Sequence, residues 1–280
     1  MPSKIGKIIN LNSLFCVILS LAIIYVLICS FVYIAQEKLV YFPGSEVTAT
    51  PKEVGLTFDE LYIETSDGEK IHTWDIPAKA SSKYILFLHG NAGNIGNRLN
   101  TISLLNRLGH SIAILDYRGY GKSTGKPTEQ GTYQDALAVF KYLNSTRGVA
   151  AENIVIYGRS LGGGVATWLA SQVNPGGLIL ESTFSSLLDM GKHRYPFLPA
   201  KLLTRIHYDS LTHIKMVKCP VLVAHSVDDE TVPYELGKLL ADGTPNLKQF
   251  VTLSGGHNET FFEAGEDYYE VLTTFIGLAK

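Results

Sequence analysis

The feature that most constrains the fold is an alternation of short apolar runs with amphipathic stretches between residues 84 and 255. The apolar runs have the length and composition of buried strands, and the amphipathic stretches have the periodicity of helices. Short strands that alternate with helices predict an α/β fold, in which helices cover both faces of a mostly parallel central sheet. The apolar runs are YILFLHG, SIAILDY, NIVIYG, GGLILES, CPVLVAHS and KQFVTLSG.

Two earlier runs, ELYIET and KIHTWDIP, are joined around Asp67-Gly68, a pair typical of tight turns. They predict antiparallel strands that form a hairpin at one edge of the sheet. Helices are predicted over 97–109, 132–146, 161–172, 234–242 and 259–280.

An uncharged apolar run, LFCVILSLAIIYVLICSFVYIA, occupies residues 14–35. A helix needs about 20 apolar residues to cross a bilayer, so this run is long enough. The alternative is a cleaved signal peptide, but the run exceeds a typical signal-peptide core and no small-x-small cleavage site follows it. We therefore expect a membrane anchor (1–37), a juxtamembrane linker (38–58) and an α/β domain (59–280).

The charges beside this run predict its orientation. Lys4 and Lys7 precede the span, and Lys38 follows it beside Glu37. This small excess of positive charge favours a cytoplasmic N-terminus in a single-pass membrane protein, with the α/β domain on the non-cytoplasmic side. A net charge of −2 and a pI of about 6.4 give no reason to expect a nucleic-acid partner.

The cysteines and histidines predict no metal chemistry. Cys16 and Cys29 lie in the apolar run, and Cys219 stands alone before Pro220. No disulfide framework or cysteine-based metal site follows from this arrangement. The eight histidines include no H-E-x-x-H pattern. We expect neither a catalytic metal nor a cofactor.

The stretch YGRSLGGG, residues 157–164, places a serine between glycines where a predicted strand meets a predicted helix. Residues 158–162 fit G-x-S-x-G, the pattern of a nucleophile elbow, whose serine holds a strained turn and exposes its hydroxyl above the sheet. The strand–turn–helix context makes this match far more specific than the five letters alone. Ser160 is therefore the predicted nucleophile, and the alternative is an ordinary helix-capping serine.

A serine hydroxyl is a poor nucleophile without a base. The best candidate base is His257, which follows a predicted strand and two glycines. An orienting carboxylate should lie between the serine and the histidine in the sequence. The stretch HSVDDETVP offers two there, Asp228 and Asp229.

The oxyanion that forms when a serine attacks a carbonyl needs preorganised N–H donors. The backbone N–H of Leu161, directly after the serine, is the first predicted donor. The second is expected from the loop after the YILFLHG strand, where Asn91 follows His89-Gly90. His89 itself is expected to be a structural loop residue.

The segment 184–218 is too long for a plain crossover between two core strands. We expect it to form a small helical cap over the serine, able to contact acyl chains or anionic head groups. The alternative is a surface helix with solvated charges. Its basic residues are Lys192, Arg194, Lys201, Arg205, Lys215 and Lys218.

Several long motifs in order resemble the membrane-anchored α/β-hydrolase domain-containing proteins, type 13 most closely and type 17 more distantly. They are KLVYFP, LFLHGNAGNIGNR, LDYRGYGKSTGKPTEQGTYQDA, IYGRSLGGGVA, ESTFSS and GGHNET, spread over residues 38–278. The resemblance implies an α/β-hydrolase fold and a serine hydrolase with Ser160, Asp229 and His257 as its triad. Asp229 is chosen over Asp228 because it stands four residues before Pro233, as in the D-x-x-V-P acid loop of this hydrolase class.

The expected activity is hydrolysis of carboxylic esters or thioesters through an acyl-enzyme, with a lipid or a lipidated protein among the candidate substrates. Type 17 relatives remove palmitate from cysteine thioesters, but they carry a cysteine-rich N-terminus that this sequence lacks. Related sequences are also labelled serine peptidases, so short peptides are the alternative substrate. Two non-enzymatic alternatives are a catalytically silent membrane-tethered scaffold and a lipid-binding protein that acts through the cap.

Overall fold

The computed structural model describes residues 11–79, 83–259 and 264–278. Its strands are β1 (Phe42–Pro43), β2 (Asp59–Glu64), β3 (Lys70–Ile76), β4 (Tyr84–Leu88), β5 (Ala92–Gly93), β6 (Ser111–Leu115), β7 (Ile154–Arg159), β8 (Gly177–Glu181), β9 (Val221–Ser226) and β10 (Leu247–Leu253). Its α-helices are α1 (Leu11–Val40), α2 (Leu99–Arg107), α3 (Glu129–Lys141), α4 (Leu161–Gln172), α5 (Leu187–Arg194), α6 (Ala200–Leu203), α7 (Ser210–His213), α8 (Tyr234–Asp242) and α9 (Gly265–Leu278).

Eight strands form one sheet in the order β10-β9-β8-β7-β4-β6-β3-β2. The strands from β10 to β6 in this order are parallel, whereas β3 pairs antiparallel with both β6 and β2. This confirms the mostly parallel sheet with an antiparallel hairpin at its edge.

Side chains of the central strands alternate between two buried clusters, because successive residues of a strand point to opposite faces. In β4, Leu86 and Leu88 belong to one cluster while Ile85 and Phe87 belong to the other. Helices α3, α4 and α8 supply the first cluster, and α2 and α9 supply the second. The sheet is therefore covered on both faces, as predicted.

Most predicted helix boundaries lie within a few residues of those observed. The helix expected from residue 132 begins at Glu129, because the Thr128 side chain accepts a hydrogen bond from the Gly131 N–H and caps it earlier. It ends at Lys141 and continues as a π-helical turn over Tyr142–Thr146. Of the predicted helix 259–280, residues 260–263, 279 and 280 lie outside the described residues.

Helix α1 is 30 residues long, or about 45 Å at 1.5 Å per residue. Its apolar side chains are exposed, and it is long and apolar enough to cross a membrane. It extends beyond the predicted span to Val40, and Lys4 and Lys7 lie outside the described residues.

The segment after α1, expected as a linker, packs on the sheet domain. Tyr41 is buried, and β1 pairs in parallel with β5 in the loop that follows β4. The last turns of α1 also contact the insertion 184–218, where Gln36 accepts hydrogen bonds from the N–H groups of Arg205 and Ile206.

The insertion 184–218 divides into an exposed part and a buried return. Exposed apolar side chains lie within α6 and between α5 and α6, including Leu202 and Phe197 respectively. The chain then returns to the core through Tyr208 and Ile214, which are fully buried, and α7 packs against α4. The exposed helical part of the insertion, which the sequence predicts to be a cap, is thus confined to about residues 187–205.

Candidate active site

Ser160 lies in the turn between β7 and α4, at φ 53° and ψ −123°. This strained conformation is the one that a nucleophile elbow requires. Two glycines make the tight crossing possible. A Cβ on Gly158 would lie 2.4 Å from the Ala166 Cβ, and one on Gly162 would lie 2.0 Å from the Leu88 carbonyl oxygen.

The structure brings the three predicted triad residues together. The Nε2 atom of His257 lies 3.0 Å from the Ser160 Oγ, and its Nδ1 atom lies 2.7 Å from Oδ2 of Asp229. Asp229 and His257 are buried, at 8% and 7% exposure. With an ionised carboxylate on Nδ1, that nitrogen carries the proton and Nε2 can accept the proton of the serine.

Asp229 is held as a carboxylate by several donors. Its Oδ1 atom accepts hydrogen bonds from the N–H groups of Thr231 and Val232, at 2.9 and 2.8 Å. Although burial raises the pKa of Asp229, hydrogen bonds from His225 and His257 outweigh burial and hold this pKa below its ordinary value. Asp229 is therefore ionised at neutral pH.

The neighbouring Asp228 points elsewhere. Its Oδ2 atom accepts from the Gly255 N–H at 3.3 Å, so it ties the acid loop to the loop that carries the histidine. Of the two aspartates in HSVDDETVP, only Asp229 contacts the imidazole of His257.

The two predicted oxyanion donors belong to residues close to the serine. Leu161 opens α4 directly after Ser160. Asn91 follows Gly90, where a Cβ would lie 3.3 Å from the Ser160 Cβ. Hydrogen bonds hold Asn91 in place. Its side-chain amide donates to the Val40 carbonyl, and its backbone carbonyl accepts from the Tyr120 hydroxyl and the Phe42 N–H.

The loop that carries His257 is held by two charged side chains. The Glu230 carboxylate accepts from the His257 N–H at 2.9 Å. The Arg159 guanidinium donates to the His257 carbonyl at 2.6 Å, and its Nε lies 3.3 Å from Glu181. The imidazole is thus positioned through its backbone as well as through Asp229.

A cavity of about 420 Å³ opens beside Ser160 and His257. No residue of the insertion 184–218 lines it. The insertion instead meets the acid loop, where Met190, His193 and Arg194 border a separate cavity of about 320 Å³. The lining residues beside the serine are Phe87, Gly90, Asn91, Ala92, Gly93, Asn97, Arg98, Arg159, Thr231 and Asn258.

Sequence reasoning did not identify Arg98, Arg159 or Glu230 as part of this site. Arg159 could have been found, because it is the residue directly before the serine in G-x-S-x-G. Glu230, directly after Asp229, is equally close to a predicted residue, whereas Arg98 carries no such signal, since only the folded chain brings its side chain to the cavity. Among the described residues, no three His, Cys, Asp or Glu side chains are grouped to hold a metal ion.

Comparisons with known proteins agree with this architecture. The alpha/beta hydrolase fold family matches residues 83–197. Alpha/beta hydrolase domain-containing protein WAV2 of Arabidopsis thaliana is 35% identical over 269 residues, covering 86% of this chain and 87% of its own. Lysophosphatidylserine lipase ABHD12 of Danio rerio is 30% identical over 295 residues, covering 86% of this chain and 77% of its own.

The esterase Pf2001 of Pyrococcus furiosus superposes with a TM-score of 0.72 at 22% identity, over 86% of this chain and 98% of the esterase. At that identity the likeness shows the fold alone. Together with the two relatives, it confirms the resemblance seen in the sequence: the chain belongs to the α/β-hydrolase domain-containing family and is a hydrolase.

Proposed function

We propose that the protein is a membrane-anchored serine hydrolase that cleaves carboxylic ester or thioester bonds through an acyl-enzyme. The observation that carries this proposal is the chain of contacts from the Ser160 Oγ through His257 to Asp229. A serine that only caps a helix would not need these contacts with His257 and Asp229. The Ser160 side chain makes no capping hydrogen bond to α4.

In the first half-reaction, the Ser160 Oγ attacks the carbonyl carbon of the substrate while its proton passes to Nε2 of His257. The resulting imidazolium is stabilised by the Asp229 carboxylate, and the N–H groups of Asn91 and Leu161 receive the oxyanion. As the bond to the leaving group breaks, His257 gives its proton to the departing oxygen or sulfur. A water molecule, deprotonated by His257, then attacks the acyl-enzyme and releases the acid and free Ser160.

The charges at the cavity favour an ester or thioester over a peptide. A peptidase acting on short peptides needs an acidic group to hold the α-amine. Among the described residues that line the cavity, the charged side chains are Arg98 and Arg159, and none is a carboxylate. One relative, 30% identical, is named a lipase, which supports the same choice.

We also propose that α1 anchors the protein in a membrane, with the sheet domain on the non-cytoplasmic side. The length and exposed apolar surface of α1 support the anchor. Lys4 and Lys7, which precede the span, support the orientation.

The first test is labelling of the full chain, in detergent micelles, with a fluorophosphonate probe that reacts with activated serines. Wild type should be labelled and Ser160→Ala should not. Ser254→Ala, which removes an exposed hydroxyl three residues before His257, should be labelled like wild type. A folded wild type that resists the probe would favour the catalytically silent scaffold instead.

A further inference from the structure

Arg98 is the least compensated charge at the cavity beside Ser160. It ends the 3₁₀-helix Ile95–Arg98, which follows the loop of Asn91. Three other arginines, Arg118, Arg147 and Arg159, each have a carboxylate within 3.3 Å. Among the described residues, Arg98 has no ion pair of this kind.

The Arg98 guanidinium is also poorly hydrogen-bonded. One of its terminal N–H groups donates to the Ala92 carbonyl, while its Nε is buried without a partner in the described part of the chain. A guanidinium has five N–H donors, so a single carbonyl leaves most of them unused. The Arg98 side chain is half-buried and its Nε is shielded from solvent, so an arriving counter-charge would stabilise this part of the cation.

Neighbouring groups do not supply that counter-charge. Burial and the nearby Arg159 lower the pKa of Arg98 to about 10, which leaves it charged at neutral pH. The Asp116 carboxylate attracts the Arg98 charge only from beyond ion-pair distance. It already accepts hydrogen bonds from His72 and the Ile95 N–H. The Glu181 carboxylate lies against Arg159, so its negative charge offsets the charge of Arg159 and not that of Arg98.

The cavity that Arg98 faces has a lining that is partly apolar and carries several hydrogen-bonding side chains. Its hydrogen-bonding side chains include those of Asn91, Asn97, Thr231 and Asn258, and its small residues are Gly90, Ala92 and Gly93. In such a lining the few polar side chains can orient a polar head group, which hydrogen-bonds them, whereas an acyl chain cannot. Ala92, which holds Arg98, is next to the predicted oxyanion donor Asn91, so a group bound by Arg98 would lie close to the scissile bond.

We propose that this cavity binds the leaving-group side of the substrate and that Arg98 recognises a phosphate or carboxylate on it. This rests on the proposed serine-hydrolase function and names its substrate class: acyl esters or thioesters of an anionic alcohol or thiol. Both anions present paired oxygens that match the planar fork of a guanidinium. Arg159 adds positive potential but is engaged by Glu181 and the His257 carbonyl.

The test compares substrates that differ only in charge. The full chain in neutral detergent micelles is given a monoacylglycerol, the same monoacylglycerol 3-phosphate, or the corresponding acyl glycerate. Wild type should have a higher kcat/KM for at least one anionic substrate than for the neutral one. In Arg98→Gln, that ratio should fall about tenfold or more, the effect expected for losing a charge-assisted hydrogen-bonded pair.

Two further variants separate recognition from loop bracing. Arg98→Lys keeps the charge and should retain part of the preference. Arg107→Gln removes an exposed arginine on α2 and should leave the ratio as in wild type. If Arg98→Gln lowers activity on all three substrates equally, Arg98 only braces the loop at Ala92 and the proposal is wrong. A wild type that prefers the neutral substrate also overturns it.

A binding measurement keeps this inference distinct from the proposed catalysis. Calorimetric titration of Ser160→Ala with glycerol 3-phosphate, glycerate and glycerol needs no turnover. Binding of an anion that is lost in Ser160→Ala/Arg98→Gln supports the site even if fluorophosphonate labelling fails. Labelling without any charge preference or anion binding would instead uphold the hydrolase and reject the anion site.

Discussion

At the scale of single residues, the placement of Asp229 explains how the site would work. Two backbone N–H groups and two imidazoles surround its carboxylate, so it stays ionised although it is 8% exposed. The adjacent Asp228 has the same chemistry but lies against Gly255. This pair provides a matched control for the role of the acid.

We predict that Asp229→Asn reduces the rate of fluorophosphonate labelling by about a thousandfold, because an amide cannot stabilise the imidazolium and favours the wrong tautomer. The rate is measured with the full chain by gel fluorescence over time. Asp228→Asn should label at close to the wild-type rate. Equal losses in both variants would show that the loop, and not the Asp229 charge, limits the reaction.

At the scale of elements, the β7–α4 crossing is where sequence and packing are most tightly linked. Helix α4 passes so close to the end of β4 that position 162 has no room for a side chain. The glycine-rich run thus lets the helix approach the sheet, and the same approach holds Ser160 in its strained conformation.

We predict that Gly162→Ala destabilises the protein by about 3 kcal/mol or more, because its Cβ would overlap backbone atoms that cannot move away cheaply. Gly277→Ala, in α9, meets nothing within 4 Å and should be neutral or slightly stabilising. Urea unfolding midpoints of both full-length variants measure the difference. A stable Gly162→Ala would mean that α4 can shift away from β4.

At the scale of the whole molecule, α1 and the insertion 184–218 form a connected structure. The Gln36 side chain donates to the Leu203 carbonyl and accepts from two N–H groups of the insertion. About 16 Å further along α1, at 1.5 Å per residue, the Tyr25 hydroxyl donates to the Phe197 carbonyl. The anchor and the exposed part of the cap are therefore held side by side.

We predict that Gln36→Ala loosens the cap, since one carbonyl and two N–H groups of the insertion lose their protein partner, at a cost of about 0.5–1.5 kcal/mol. Limited trypsin digestion should cleave faster after Lys201 and Arg205. Gln172→Ala is the control, because the Gln172 side chain hydrogen-bonds only the neighbouring Ser171 within the described part of the chain. Unchanged cleavage in Gln36→Ala would indicate that Tyr25 and Arg205 suffice to hold the cap.

The α/β architecture is predictable from the sequence alone, because strand and helix periodicities are local and the apolar runs are long enough to be unambiguous. The candidate nucleophile is predictable in the same way, since G-x-S-x-G is a contiguous motif whose glycines respond to a local steric need. His257 and the two aspartates followed from chain order, which restricts candidates without locating their side chains.

The D-x-x-V-P pattern favoured Asp229 over Asp228, but the contact of its carboxylate with the His257 imidazole is visible only in the folded chain, because it depends on how the acid loop turns above β9. Only the tertiary structure brought Arg98 to the cavity and Gln36 to the insertion, since these contacts join segments far apart in the chain. The reason is physical: periodicity and short motifs report neighbours along the chain, whereas charge compensation and docking depend on neighbours in space.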